Sequence, residues 1–366
     1  MRIALLTSSR ADYSIYYPLL TAMKNDDSFD VDIIAFGTHN SLFYGQTSRQ
    51  IEHDGFAIKH KVESLILGES PQAVADSMGL TMMKFSQIWA TSRYDLCLTL
   101  GDRYEMFAAA YSTLPFNIPV AHISGGERTL GAIDNSFRDA LTVLSKYHFT
   151  STEQYATRVA EILGHRDNVF NVGALSIDNL KRMPLLSVSE FKTKFNIDLS
   201  IPSILITFHP ETVSFEKNED YIQELIAALD QVKEYQLIIT MPNADTMGNV
   251  IREHLNAFIA RASNAIGVES FGTIGYLSCM KHCSFMLGNT SSGFVEASFF
   301  PKYVINLGDR QKGRIETPNI NTVPIVRSEI LSAIGKFNEM KTLPPVTVYG
   351  DGTAAHKILS ALRSTI

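Results

Sequence analysis

The chain of 366 residues predicts an α/β fold made of two doubly wound, Rossmann-like domains, and three observations carry that reading. Short, nearly continuous apolar runs alternate with helical patterns, as expected where helices cover both faces of a parallel sheet. The series stops in a polar, proline-marked stretch near the middle and then begins again. The length also exceeds what one hydrophobic core comfortably serves, so two domains are the default.

In the first half the apolar runs are RIALLTSS (2–9), VDIIAFG (31–37), LCLTLG (96–101), PVAHISGG (119–126) and YHFTS (147–151). Between them SIYYPLLTAMKN, RYEMFAAAYSTL and SFRDALTVLSKY have helical spacing, which makes a βαβ series. This first domain is drawn at 1–175. After VFNVG (169–173), the stretch LSIDNLKRMPLLSVSEFKTKFNIDLSIPS has no clean strand and reads as the linker. A second series, drawn at 200–350, has strands SILITFH (203–209), QLIITM (236–241), SFMLGN (284–289) and YVINLG (303–308), with helices from about Asp220, Asn249 and Ser292. The last segment, AAHKILSALRSTI, has the apolar spacing of a surface-packed amphipathic helix. At about 354–366, it is expected to pack back on the first domain.

Composition narrows the function classes. A formal charge of −6, with both signs interspersed, leaves no extended basic stripe for a nucleic-acid backbone. The N-terminal MRIALLTSSRADYS is too short in its apolar run for a signal-peptide core, and no segment reaches the roughly 18 apolar residues of a membrane span. Three cysteines, Cys97, Cys279 and Cys283, are too few and too sparse for a secreted disulfide framework. The cytoplasm is the expected compartment. The run from Cys279 to Cys283, with His282, lacks a second ligand pair, so no metal is expected and the thiols read as buried packing groups.

Two such domains place the carboxyl ends of their strands around a common crevice, where ligand chemistry is expected. Polar residues concentrate there: Ser8-Ser9-Arg10-Ala11-Asp12-Tyr13, Gly101-Asp102-Arg103, and His122 to Arg128 in the first half. The second half has His209-Pro210-Glu211, Asn289-Thr290-Ser291-Ser292-Gly293, and Asp309 to Arg314. The Thr-Ser-Ser-Gly turn reads either as a plain N-cap or as an anion site at the start of a helix. Arg10, Arg103 and Arg310 on facing loops tilt it towards a diphosphate, and Glu296, a turn further on, has the reach for ribose hydroxyls. Neither a G-x-G-x-x-G nor a P-loop follows any expected strand, which argues against NAD and ATP. Asp102 reads as a helix cap or as a proton-transfer group, Asp134 as part of an N-cap region, and His209 as an acid/base or a phosphate donor. Glu127 has no helix to cap. Convergence of these four on one crevice favours chemistry, since closely placed carboxylates tune one another for acid and base work.

Taken together, SSRADY, LGDRYEMFAAA, HISGGERTLGAIDNSFRDALTVLSKYHFTST, FHPET, NADT, GNTSSGFVEAS and INLGDRQKGR resemble the UDP-N-acetylglucosamine 2-epimerases. The resemblance runs in order over about residues 1–325 and is nearest to the hydrolysing branch, which makes N-acetylmannosamine for bacterial sialic-acid synthesis. It implies a GT-B fold, two Rossmann-like domains with a cleft between them, and a metal- and NAD-independent reaction without cofactor. In that reaction the C2 proton is removed, UDP leaves C1, and the resulting 2-acetamidoglycal is hydrated to the manno sugar. The resemblance further implies proton-transfer roles for Asp102 and Asp134, a place near the diphosphate for His209, UDP contacts for Arg10, Thr290, Ser291, Glu296 and Arg310, and a place near the nucleotide for Asn243. Ser124 stands where some hydrolysing members carry a glutamate proposed as catalytic acid; a serine does no general-acid work at neutral pH, so Glu127 is the candidate replacement. A homodimer or homotetramer is the family tendency.

A UDP-2,4-diacetamido-2,4,6-trideoxyhexose, on the route to legionaminic acid, fits the same pattern as UDP-N-acetylglucosamine. A GT-B glycosyltransferase and a non-catalytic nucleotide-sugar sensor are the competing classes. UDP release without an acceptor separates the first from the epimerase, and any turnover separates the second.

Overall fold

A computed structural model describes residues 1–68, 70–213, 215–242, 248–337 and 346–365, apart from the side chains at 182 and 215. The first sheet is built of β1 (Arg2–Thr7), β2 (Asp30–Ala35), β3 (Ile58–Lys61), β4 (Leu96–Leu100), β5 (Val120–Ile123), β6 (Tyr147–Thr150) and β7 (Val169–Asn171). Its order is β3-β2-β1-β4-β5-β6-β7. The second holds β8 (Ser203–Thr207), β9 (Gln236–Thr240), β10 (Ala265–Val268), β11 (Phe285–Gly288), β12 (Val304–Leu307) and β13 (Ile320–Val323), in the order β10-β9-β8-β11-β12-β13. Every pairing is parallel. In each sheet the first strand lies beside the fourth, so the order reverses there and creates the switch point at which such sheets bind ligands. These are two Rossmann-like α/β domains of the GT-B type.

The chain divides into two compact units: Met1–Glu127, Asp134–Lys181 and Val348–Ile366 form one, and Arg128–Ile133 with Arg182–Thr347 form the other. In the first, alternate residues of β1 serve opposite faces. Ile3 and Leu5 pack with Tyr16, Leu19 and Leu20 of the helix Arg10–Lys24 and with Ile358 and Leu362 of the helix Ala354–Thr365. Ala4 and Leu6 pack on the other side with Phe36, Phe85, Trp89 and Met106. Burial on both faces is why the strand reads as an unbroken apolar run.

Two polar contacts fasten this unit. Pro18 lies inside the helix Arg10–Lys24 and has no N–H for the carbonyl of Ser14; the Asn179 side-chain amide donates to that carbonyl instead, at 2.7 Å. The buried Asp178 carboxylate accepts from the N–H groups of Ala354 and Ala355, at 3.0 and 2.8 Å, at the start of the C-terminal helix. In the second unit Ile204, Ile206, Leu237, Ile239, Phe285, Leu287, Ile305 and Leu307 form a core with the helices Asn218–Leu229, Gly248–Arg261 and Arg327–Lys336.

The stretch read as a linker is helical. It forms Leu175–Arg182 and Val188–Phe195, the second opened by a reciprocal Ser187–Glu190 capping box, with Pro184 between them masking the periodicity. Strands β3, β10 and β13 escaped the apolar-run criterion, and all three are sheet edges with half-exposed patterns. Among the described residues no helix is long and apolar enough to cross a membrane.

Candidate functional site

At the β4 end of the first unit, Gly101 takes a positive φ of 78° and turns the chain into Asp102. The following helix, Tyr104–Tyr111, begins after Arg103 without a side-chain cap, so Asp102 is not its cap. Its carboxylate instead pairs with the guanidinium of Arg138, whose side chain is only 3% exposed. Arg138 also donates from Nη1 to the carbonyl of Glu127 at 2.9 Å, and the Glu127 carboxylate accepts from Ser151 Oγ at 2.9 Å. A guanidinium out of water is costly unless its charge and N–H groups are met; Asp102 meets the charge, and Asp102 and the Glu127 carbonyl engage its two terminal nitrogens. Arg138 belongs to the helix Asp134–Leu144, four residues after Asp134 and on the same face. Glu127 is brought in by Gly126, where φ is 79° and a Cβ would lie 2.3 Å from the carbonyl oxygen of Tyr155.

Beneath this cluster His122 is fully buried, and burial pushes its imidazole down to about 4. A neutral ring assigns the proton to Nε2, which donates to the Gly101 carbonyl at 2.8 Å and so steadies the turn carrying Asp102. Ser124 adopts a positive φ of 66°, uncommon for serine, and its N–H donates to Phe149 at 2.9 Å. Arg103 turns to the buried Glu105, giving Nε and Nη2 to the two carboxylate oxygens at 3.2 and 3.1 Å. Burial raises the Glu105 carboxyl, and Arg103 pulls the other way. At the β1 end Asp12 accepts from the N–H and hydroxyl groups of Ser8 and Ser9, in a capping box that places Arg10, half-buried, at the first helical position.

The second unit gathers its residues differently. His209, following β8, is 7% exposed; its N–H donates to Asn289 Oδ1 at 2.7 Å and its carbonyl accepts from Asn289 Nδ2 at 2.8 Å. Arg310, following β12, gives Nε to the Pro210 carbonyl at 3.2 Å and Nη1 to the Asn289 carbonyl at 3.4 Å. Glu211 is anchored on both sides of its peptide by the Asn218 amide, at 2.9 and 2.8 Å, and accepts the Asp309 N–H at 2.9 Å. Burial raises its carboxyl. Segment Arg128–Ile133 also belongs here: Leu130 N–H donates to Lys312 at 3.0 Å, and a Cβ on Gly131 would meet Asp309 and Arg310 backbone at 2.6 Å.

One expectation is corrected. The Thr-Ser-Ser-Gly turn does not open a full helix; Ser291–Gly293 is a 3₁₀ turn, followed by the single-turn helix Glu296–Phe299, which Pro301 stops. The dipole of a full helix is therefore missing. What the turn offers is hydroxyls: Thr290 is half-buried, Ser291 is exposed, and Ser292 lies 2.6 Å from the hydroxyl of Tyr276 and 3.2 Å from that of Thr290. Glu296 is half-buried at the start of the short helix. Asn243 lies outside the described residues.

Thus the structure ties Asp102 and Glu127 together through Arg138, and His209 and Arg310 through Asn289. Arg138 did not stand out in the sequence, where its spacing from Asp134, four along a helix, was the available cue; Asn289 was read only as one of the polar residues at a strand end. Among the described residues no group of three or more His, Cys, Asp or Glu forms a metal-binding cluster. All three cysteines are free and buried, and burial raises their thiols, Cys283 to about 11.

The family model for UDP-N-acetylglucosamine 2-epimerase matches residues 21–363. The chain is 36% identical over 320 residues to a GDP/UDP-N,N'-diacetylbacillosamine 2-epimerase (hydrolyzing) of Campylobacter jejuni, covering 87% of this chain and 83% of that one. It is 33% identical to the polysialic acid biosynthesis protein P7 of Escherichia coli, covering 94% and 88%. A UDP-N,N'-diacetylbacillosamine 2-epimerase (hydrolyzing) of Legionella pneumophila is 29% identical over 99% of this chain and 96% of its own. In structure the chain is similar, with a TM-score of 0.83 and 15% identity over the whole of both chains, to the UDP-GlcNAc 2-epimerase of Neisseria meningitidis bound to UDP-GlcNAc. Matched along nearly its whole length, the chain belongs to the UDP-N-acetylglucosamine 2-epimerase family.

Proposed function

We propose that this enzyme is a hydrolysing 2-epimerase of a UDP-linked 2-acetamido sugar, releasing UDP and the free 2-epimer. The observation that supports it best is the Asp102–Arg138–Glu127 cluster, in which two carboxylate-bearing loops are held by one buried guanidinium at the ligand end of a parallel sheet. A carboxylate takes the C2 proton while the C1–O bond to UDP breaks, leaving a 2-acetamidoglycal. Water then adds hydroxyl at C1 and a proton at C2 from the other face. Asp102, Glu127 and Asp134 are assigned to these proton transfers, and the departing diphosphate needs positive and hydrogen-bonding groups around it. His209, Arg10, Arg310, Thr290 and Ser291 are assigned there, with Glu296 and Asn243 on the nucleoside. Arg103, engaged by Glu105, keeps a place at the diphosphate as the second function of that pair. The step is redox-neutral, and no cofactor is written into it.

For the sugar, the names of the Campylobacter and Legionella relatives favour a UDP-2,4-diacetamido-2,4,6-trideoxyhexose. The Escherichia relative and the family description favour UDP-N-acetylglucosamine, giving N-acetylmannosamine. Incubation with each sugar, followed by UDP release and NMR of the product, decides between them. UDP is expected without any acceptor, with the diacetamido sugar turned over at least about tenfold faster, a ratio that one missing polar contact supplies. Dependence on an added acceptor would identify a glycosyltransferase instead.

Free, buried thiols fit a reducing cytoplasm. Self-association is supported by an apolar patch in which Phe107 stacks on Tyr111 at 5.5 Å, beside exposed Leu114 and Phe116; light scattering would show a homodimer or homotetramer.

A further inference from the structure

Asn289 stands at the end of β11, the strand between β8 and β12, and it is completely buried. Each of its polar groups has a protein partner. The N–H donates to the Thr207 carbonyl at 3.1 Å, and the side-chain amide spans the N–H and carbonyl of His209. The carbonyl accepts from Gln311 Nε2 at 2.9 Å and from Arg310 Nη1. Gly288 makes this possible: its φ is 142° and a Cβ there would lie 2.0 Å from the Thr207 oxygen, so only glycine lets the end of β11 come this close to that of β8. An amide has two acceptor sites and two donors, and here one of each is committed to the two peptide groups flanking the Cα of His209. That two-point contact fixes the backbone from which the His209 imidazole projects, while the Asn289 carbonyl also accepts from the Arg310 guanidinium.

We infer that Asn289 is a positioning residue: its side chain pins the backbone of His209, and by fixing that turn it also holds its own carbonyl under Arg310, so that loss of the side chain loosens both. The inference rests on the reading of the second unit as the half that binds UDP. Asn289 touches no substrate in this account; it acts through the two residues it holds.

The test uses the full-length protein and two variants. Asn289→Ala removes both side-chain hydrogen bonds, and UDP affinity and kcat are expected to fall together, each by about tenfold or more per folded molecule. Asn289→Asp keeps the shape. Protonated, the introduced carboxyl accepts from His209 N–H and donates to its carbonyl as the amide does; ionised, it turns an acceptor on that carbonyl. Burial favours the neutral form, so near-native behaviour is expected at about pH 5 and loss relative to the parent as pH rises. A role confined to stability would lower the melting temperature and leave UDP affinity, kcat and the His209 imidazole resonances unchanged in the folded fraction, and that result overturns the inference. Should Asn289→Ala not fold, the pH profile of Asn289→Asp decides alone. If the parent binds UDP but turns over neither sugar, the epimerase reading fails while the affinity readout still judges Asn289. If the parent binds no UDP, the His209 resonances judge it, and unchanged resonances in Asn289→Ala overturn it.

Discussion

The two units share a strand order and differ in what stands at the strand ends. In the first, a guanidinium and a carboxylate meet out of water, with a second carboxylate on Ser151 and a neutral histidine below. In the second, an amide, carbonyls and hydroxyls hold His209 and Arg310, with Arg310 resting on the carbonyls of Pro210 and Asn289 and the Glu211 carboxylate within reach of its charge. The same topology therefore carries two electrostatic designs. The first unit holds a carboxylate by a partly buried charge pair, whereas the second places its arginine by hydrogen bonds to carbonyls; under the proposed function the first arrangement suits proton transfer and the second an anionic ligand.

Breaking the first design has the largest expected effect. Asp102→Asn removes the carboxylate but keeps its outline, and turnover is expected to fall by about 10²–10⁴-fold. UDP affinity should stay within about threefold, since none of the residues assigned to UDP is changed; titration calorimetry beside a UDP-release assay checks both. Arg138→Met leaves Asp102 without its partner and is expected to cost about 3–5 kcal/mol, the range for breaking one side of a buried pair. Urea unfolding followed by the fluorescence of Trp89, the one tryptophan and a residue of this unit, reads it.

Acid sharpens the contrast. His39, His122 and His148 all lie in the first unit, buried, with imidazoles lowered by burial to about 4, 4 and 3. An unfolded histidine takes a proton near 6.5. Between about pH 6.5 and 4 only the unfolded state gains these protons, so the unit's stability is complete above that window and falls as pH drops through it, by on the order of a few kcal/mol. The raised Glu105 carboxyl runs the other way, one group against these three and His60, also lowered by burial. A Trp89-monitored urea midpoint that did not move between pH 7 and 5 would contradict this.

A smaller effect compares two glycines. Gly126→Ala and Gly288→Ala each force a Cβ onto a carbonyl oxygen at positive φ, at a strain of about 1–3 kcal/mol or more. The first should depress turnover with UDP binding retained, and the second should depress UDP binding. Smallest of all, none of the three thiols should react with a thiol reagent before the chain unfolds.

How far the sequence reveals this follows from what each residue does. Central strands are buried on both faces and announce themselves as apolar runs; edge strands such as β3, with IKHK half in water, do not. Asp102, Glu127 and His209 are visible because each follows such a run. Arg138 is hidden because an arginine in an amphipathic helix reads as solvent-facing, and only tertiary packing places it 3% exposed against Asp102. Asn289 shows up among the polar strand-end residues, but its link to His209 is hidden because the bond spans 80 positions. The single-turn helix after Ser291 was overestimated because Pro301 cuts short a pattern that Glu296 and Ala297 begin.

The central claim is that the C2 proton is lost and regained from solvent. NMR of the reaction in D2O with the preferred UDP-sugar tests it most directly: the account predicts free UDP and a 2-epimeric sugar carrying deuterium at C2, with no deuterium incorporated by Asp102→Asn on the same timescale. A 2-epimeric product that retains its original proton at C2 would contradict it.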